Sequence, residues 1–232
     1  MLNRVRVPAR WQRYLSWALV IAGPLIVYYR TLLPGIGYGD TAEFQRVSPT
    51  LGLAHITGYP LYTLLGWLWS QLPLGSSAAW RMNLFSAVLA VLALGTLYGS
   101  GRRLGQRRLV TVVSTLTFAF SLTFWLEATH AEVYALATLL LSALIYALLR
   151  WRAGDLPLWA AALILGLGLA HHRTILLLAP GALLFVLLTR RPAWPELLRC
   201  LPALLLPGLL YLYIPLQAQP WAVSYTHLTL PT

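Results

Sequence analysis

Two carboxylates, a guanidinium and an imidazole crowd the stretch YGDTAEFQRVSPTLGLAHITGYPLY, which runs from Tyr38 to Tyr62. Asp40 and Glu43 stand three apart, Arg46 and His55 follow, and a Gly58–Tyr59–Pro60 turn comes next. A carboxylate whose pKa is raised by burial can act as a general base near neutral pH, and a neighbouring imidazole can orient it. Gly35, Gly37 and Gly39 permit unusual backbone and close approach of a ligand. They are not a dinucleotide fingerprint, because the GxGxxG spacing and a preceding strand are both missing. The plainer alternative is a helix start, with Asp40 or Thr41 as cap and Glu43 as a first-turn acid. The helix dipole favours such charges by roughly 0.3–1 kcal/mol. A lone histidine such as His55 is more often a hydrogen-bonded structural residue than a reacting one.

Further polar groups stand at the ends of apolar segments. Arg81 and Asn83 head one of them. An arginine at an outer helix N-terminus opposes both the dipole and the positive-inside bias, so it calls for an acid or an anionic phosphate as partner. FWLEATHAEVYAL (Phe124–Leu136) carries Glu127, His130 and Glu132. Glu127-x-x-His130 is half of a di-iron carboxylate motif, but the chain has no second copy. His130-x-Glu132 lacks the later Pro-Cys-x-x-Cys of a zinc deaminase. An acid such as Glu132 beside a membrane helix is costly unless it is used. GLGLAHHRTILLL (Gly166–Leu178) brings His171, His172 and Arg173 between two short apolar segments. These are either a tight polar turn or, as expected here, His172 and Arg173 facing a cavity and binding phosphate. Cys200 is the sole cysteine, so there is neither an internal disulfide nor a cysteine metal cluster. No metal and no cofactor are expected.

The elements that must hold these groups are membrane helices. Of 232 residues, 59% are hydrophobic and only 10% charged, against about 25% charged in a soluble domain. The net charge of +11 comes from arginines in short clusters between apolar segments, the pattern of cytoplasmic loops and not of a nucleic-acid-binding face. Arg4, Arg6, Arg10 and Arg13 place the N-terminus in the cytoplasm, and Tyr14–Leu33 is long enough to be a retained first span, not a signal peptide. Trp80–Ser100 returns to the cluster Arg102, Arg103, Arg107 and Arg108. Tyr59–Leu72 is too short to cross and would break this alternation, so an interfacial or re-entrant helix is expected there, with Trp67 and Trp69 at interface depth. Leu109–Leu126, Val133–Leu149, Leu156–Ala170, Thr174–Leu188 and Leu197–Pro215 then alternate, giving about seven spans. The consequence is that Asp40, Glu43, His55, Glu127, His130, Glu132, His171 and His172 gather on the outer side, while Asp155 and Glu196 fall on the cytoplasmic side. No internal repeat or low-complexity tract is visible.

Val223–Thr232 (VSYTHLTLPT) breaks the style of the rest and reads as the translation of a transposon-based sequencing adapter. The native domain is therefore expected over residues 1–222, cut near Ala222, with a longer C-terminal part absent. Tyr225 and His227 are given no role.

Asp40-Thr-Ala-Glu43-Phe44, His55-Ile-Thr-Gly58-Tyr59-Pro60-Leu61 and Arg81-Met-Asn83-Leu84 together resemble a family of uncharacterised membrane proteins related to protein O-mannosyltransferases. Trp125, Glu132-Val-Tyr134 and His171-His172-Arg173 fit the same likeness, which covers about Tyr14 to Arg173. One departure is Ile56-Thr57, where the family often has prolines. Such proteins are similar to the C-type glycosyltransferases, polytopic enzymes that use lipid-linked sugar donors. The resemblance implies an all-α, C-type glycosyltransferase-like transmembrane bundle with juxtamembrane helices in its first outer loop, and it implies Asp40 as catalytic base. The expected reaction moves a mannose-like hexose, with inversion, from a polyprenyl-phosphate donor to a hydroxyl of a protein or other acceptor. Glu43 or His55 orients Asp40 or the acceptor. Arg81 and Arg173, with His172, steady the leaving phosphate, and Asn83, Glu132 and Tyr134 complete the substrate-binding set. The expected setting is a bacterial inner membrane with the site on the periplasmic face. The rival reading is a transporter or flippase for a lipid-linked anion, which needs polar groups near the midplane and access from both sides. A third reading, a membrane scaffold, requires no chemistry of Asp40 or Arg81.

Overall fold

The computed structural model describes residues 8–55 and 57–217, and these are helical with no strand among them. Arg4 and Arg6, Ile56 and the proposed adapter segment Val223–Thr232 lie outside the described residues. Each of the seven apolar segments read from the sequence corresponds to a helix or a broken helix.

Helix α1 (Ala9–Thr31) contains Pro24 and has Arg30 in its last turn, where the helix dipole suits a cation. A glycine-rich loop leads to α2 (Asp40–Val47), which buries Thr41, Phe44, Gln45 and Val47. That spacing is one face of an amphipathic helix. Helix α3 (Pro60–Ser70) begins with proline in its first turn, where the missing N–H costs nothing. Its 11 residues reach only about 16 Å at 1.5 Å per residue, too short to cross a bilayer.

Helix α4 (Ala78–Arg103) is the central post. Ser77 caps it, its Oγ accepting the Trp80 N–H at 3.1 Å. It packs chiefly on α7 (Tyr134–Arg152), and α1, α2 and α3 also lie against it. The expected single span Leu109–Leu126 is two helices, α5 (Arg108–Ala119) and α6 (Leu122–Thr129), bent by 66°. Ser121 sits at the break and donates its hydroxyl to the Phe118 carbonyl at 2.8 Å, a local bond that competes with the helix ladder. Then come α8 (Leu158–His171), a 3₁₀ segment Arg173–Leu178, α9 (Ala179–Thr189) and α10 (Trp194–Leu205). A second 3₁₀ segment, Leu206–Leu212, leads into α11 (Tyr213–Gln217). The Tyr213 hydroxyl donates to the Gly52 carbonyl at 2.8 Å, tying this end to the loop after α2.

Three stretches are long and apolar enough to cross a membrane: Ala78–Arg103, Tyr134–Arg152 and Trp194–Gln217. The bent α5–α6 pair makes a fourth if it counts as one span. Leu158–His171 and Arg173–Thr189 are apolar but shorter.

Candidate active site

The site is assembled on the first loop. Gly39 adopts φ 57°, a left-handed conformation suited to glycine, and turns the chain so that an exposed Asp40 opens α2. No side chain caps α2. The expected capping role of Thr41 is replaced by a longer-range one: its hydroxyl donates to Glu132 Oε1 at 2.8 Å and joins the first loop to the α6–α7 connection. Gln45 holds the glycine loop from below, its Oε1 accepting the Gly37 N–H at 2.9 Å and its Nε2 donating to the Gly35 carbonyl at 3.1 Å.

Glu43 and His55 form a close pair. Glu43 Oε1 accepts the His55 backbone N–H at 2.8 Å, and Oε2 meets His55 Nδ1 at 2.7 Å. The Glu43 side chain is only 8% exposed while His55 is 32% exposed. The carboxylate thus fixes the ring and leaves Nε2 as its remaining polar atom. Asp40, Glu43 and His55 each offer one ligand atom within 4.8 Å of the others. Two carboxylates and an imidazole are donors that suit a divalent cation. Both Glu43 oxygens already serve His55, so a cation here would compete with that pair.

Tyr59 joins this group to the rest. It sits at φ 43° directly after Gly58 at φ 78°, a conformation that costs a bulky residue energy. Its ring lies 5.4 Å from His55, 6.2 Å from His171 and 6.1 Å from His172. Burial raises its phenol, and Tyr134, Asp40 and Glu132 push the same way while Arg173 opposes them. Tyr134 in turn lies 6.0 Å from the His172 ring. His172 Nδ1 pairs with Thr174 Oγ1 at 2.7 Å, and burial, aided by Arg173, lowers its pKa. Glu132 is half-buried. Burial pushes its carboxyl up to about 7, Glu127 and Asp40 add to the rise, and the Thr41 hydrogen bond and His55 oppose it.

Asp40, Glu43, His55, Glu132, Tyr134, His172 and Arg173 therefore stand together around Tyr59. Arg81 does not join them. Its Nη1 donates to the Leu74 carbonyl at 3.3 Å in the α3–α4 turn, its backbone carbonyl accepts from Trp69 Nε1 at 2.8 Å, and no carboxylate lies within ion-pair distance among the described residues. Asn83, expected to touch substrate, is fully buried. Its Nδ2 donates to the Leu33 carbonyl at 2.7 Å, and its Oδ1 accepts from Gln45 Nε2 and from the Ala131 N–H, both at 2.9 Å. It ties α2 to the loops after α1 and α6 beneath the site. On the far side of the bundle, Asp155 pairs with Arg103, and Glu196 pairs with Arg190 at 3.2 Å.

Sequence reasoning gives no role to Gln45 or to the ring of Tyr59, and gives Thr41 a local one. The available signals were a polar residue on the apolar face of α2 and an aromatic locked between glycine and proline.

Fold and site define an all-helical, membrane-type protein with a polar site of carboxylates, imidazoles and an arginine gathered at one end. Residues 40–194 match the model of the protein O-mannosyl-transferase TMEM260 N-terminal domain, and the chain belongs to that family. It is 31% identical over 210 residues to the mouse protein O-mannosyl-transferase TMEM260, a match covering 86% of this chain and 30% of the relative. It is 28% identical over 123 residues to protein O-mannosyl-transferase tmem260 of Dictyostelium discoideum, covering 52% of this chain and 15% of that one. The chain thus spans less than a third of the length of either relative. No solved structure matches it.

Proposed function

We propose that the protein is a membrane glycosyltransferase that moves a mannose-like hexose from a polyprenyl-phosphate donor to a hydroxyl of a protein acceptor. The observation that carries this reading is the placement of exposed Asp40 beside the Glu43–His55 pair, with His172 and Arg173 across the Tyr59 ring. The names of the relatives, both protein O-mannosyl-transferases, support the same class of reaction.

In this scheme Asp40 accepts the proton of the acceptor hydroxyl, whose oxygen attacks the anomeric carbon. The bond from that carbon to the phosphate oxygen breaks, and the electron pair leaves with the lipid phosphate. Arg173, with His172, stabilises the charge that develops there. In-line attack by a base-activated hydroxyl inverts the anomeric centre. Glu43 positions His55, and the exposed His55 edge orients the acceptor or Asp40. Arg173, which stands with the site, takes the leaving-group role ahead of Arg81, whose guanidinium is engaged at the α3–α4 turn.

In the membrane, α1, α4, the α5–α6 pair, α7, α8, α9 and the α10–α11 run make seven crossings, with α2 and α3 juxtamembrane on the outer face. The arginine clusters face the cytoplasm by the positive-inside rule. For a bacterial host the site would be periplasmic. The two relatives named are from a mouse and an amoeba.

The test is the stereochemistry of transfer. The reconstituted protein is given a labelled polyprenyl-phosphate hexose of known anomeric configuration and an acceptor, and the product linkage is read by NMR. Inverted product with release of the lipid phosphate is expected. Retained configuration would remove the single-displacement scheme.

A further inference from the structure

At the opposite end of the bundle lies a second pocket of about 300 Å³, formed by the start of α1, the end of α4, the start of α5 and the C-terminal part of α7. Four arginines line it, Arg13, Arg102, Arg103 and Arg108, and no acid does. Its remaining walls are aromatic. Trp17 and Tyr98 meet edge to face at 4.9 Å, and Tyr146 leans over Gly99, where a side chain would collide with its ring. Along α4 the pocket begins at Tyr98, 15 residues beyond the Asn83 that lies beneath the candidate active site, a rise of roughly 22 Å at 1.5 Å per residue.

Arginines at one membrane face satisfy the positive-inside tendency without any pocket, so charge alone assigns nothing. The partners of these arginines say more. Asp155 meets the charge of Arg103, but Arg13, Arg102 and Arg108 have no carboxylate within ion-pair distance among the described residues. Arg102 donates to the Gln106 carbonyl and Arg108 to Gln12 Oε1 at 3.0 Å, both neutral acceptors. Arg108 Nε is buried with no hydrogen-bond partner. Arg108 is also the first residue of α5, where the helix dipole disfavours a cation. An anion in the pocket answers the unpaired charges and the cation at the start of α5 together. It would offset the dipole and relieve the mutual repulsion of the arginines, while the rings face the less polar part of the ligand.

We propose that this pocket binds the phosphate of an anionic lipid headgroup. A lipid is favoured over a soluble phosphate because the pocket opens where helices leave the membrane, and basic pockets between transmembrane helices are the usual seats of anionic headgroups. Phosphates are matched by several arginine donors in a fixed fork.

The test uses the purified full chain in neutral detergent, with binding of phosphatidylglycerol, phosphatidylcholine and inorganic pyrophosphate measured by native mass spectrometry and thermal shift. Phosphatidylglycerol is expected to bind the wild type more tightly than phosphatidylcholine. Arg13→Gln and Arg108→Gln should each weaken it roughly fivefold, while the exposed Arg191→Gln, which removes the same charge elsewhere, leaves it unchanged. Two pocket variants keep the test valid if one fails to fold, and phosphatidylcholine binding reports on the general lipid surface. If pyrophosphate stabilises the wild type as strongly and competes with the lipid, the phosphate site stands but its source is soluble. If the wild type does not distinguish the anionic ligands from phosphatidylcholine, or all three variants weaken binding equally, the proposal is overturned.

Discussion

At the scale of single residues, the acids of the site divide by environment. Asp40 is exposed at the mouth, Glu43 is committed to His55, and Glu132 is held half-buried under Thr41. Glu132 yields a pH prediction with a definite sign. Its carboxyl binds a proton more tightly in the folded protein, at about 7, than at its ordinary 4.5. The stabilisation this gives is complete below the ordinary value and is lost as pH rises through about 7. Glu132→Gln is neutral throughout, so it should flatten the fall in thermal stability between these limits and be the more stable protein at pH 8. Parallel pH slopes for the two proteins would show that Glu132 is charged at neutral pH. Residue types were legible in the sequence: Asp40, Glu43, His55, Glu132, Tyr134, His172 and Arg173 all stand out there and are brought together in the fold. What was not legible is which polar groups answer one another across the fold. Asn83 reads like a site residue by its position beside Arg81, yet its hydrogen bonds run to Leu33, Gln45 and Ala131. Those partners come from α2 and from the loops after α1 and α6, and no local spacing signals them.

At the scale of elements, hydrophobic runs located the helices well but not their breaks. Length and charge alternation alone place a short, non-crossing helix within Tyr59–Leu72, and α3 occupies Pro60–Ser70 of it. The α5–α6 bend escaped because Leu109–Leu126 is an uncharged run with hydroxyl residues scattered along it, and nothing in that spacing singles out Ser121, whose hydroxyl donates to the Phe118 carbonyl at the break. Close crossings are equally silent in a single sequence. Gly166 on α8 lies so near α10 that an added Cβ would overlap the Leu204 carbonyl oxygen. The obstacle is backbone and cannot swing aside, so Gly166→Ala should destabilise the protein by about 1–3 kcal/mol, read as a lowered Tm in detergent. An unchanged Tm would mean that α10 is free to shift on α8.

At the scale of the whole molecule, family membership and the gathering of the site's acids and histidines at one end support the proposed transferase over a transporter, which needs polar groups near the midplane. The orientation is open to direct measurement in sealed vesicles, on a Cys200→Ser background. The exposed positions Ser76 and Gln106, replaced singly by cysteine, should label from opposite faces, with Ser76→Cys reached on the face that carries the site. Labelling of both from one side would break the α4 crossing on which the arrangement rests. The central claim, that Asp40 is the base of a sugar transfer, is met most directly by one comparison. Wild type and Asp40→Asn are reconstituted with a labelled polyprenyl-phosphate hexose and an acceptor, and donor binding and turnover are measured in the same samples. Loss of turnover by at least about a hundredfold with donor binding retained is the predicted result, and equal turnover in the two proteins would contradict it.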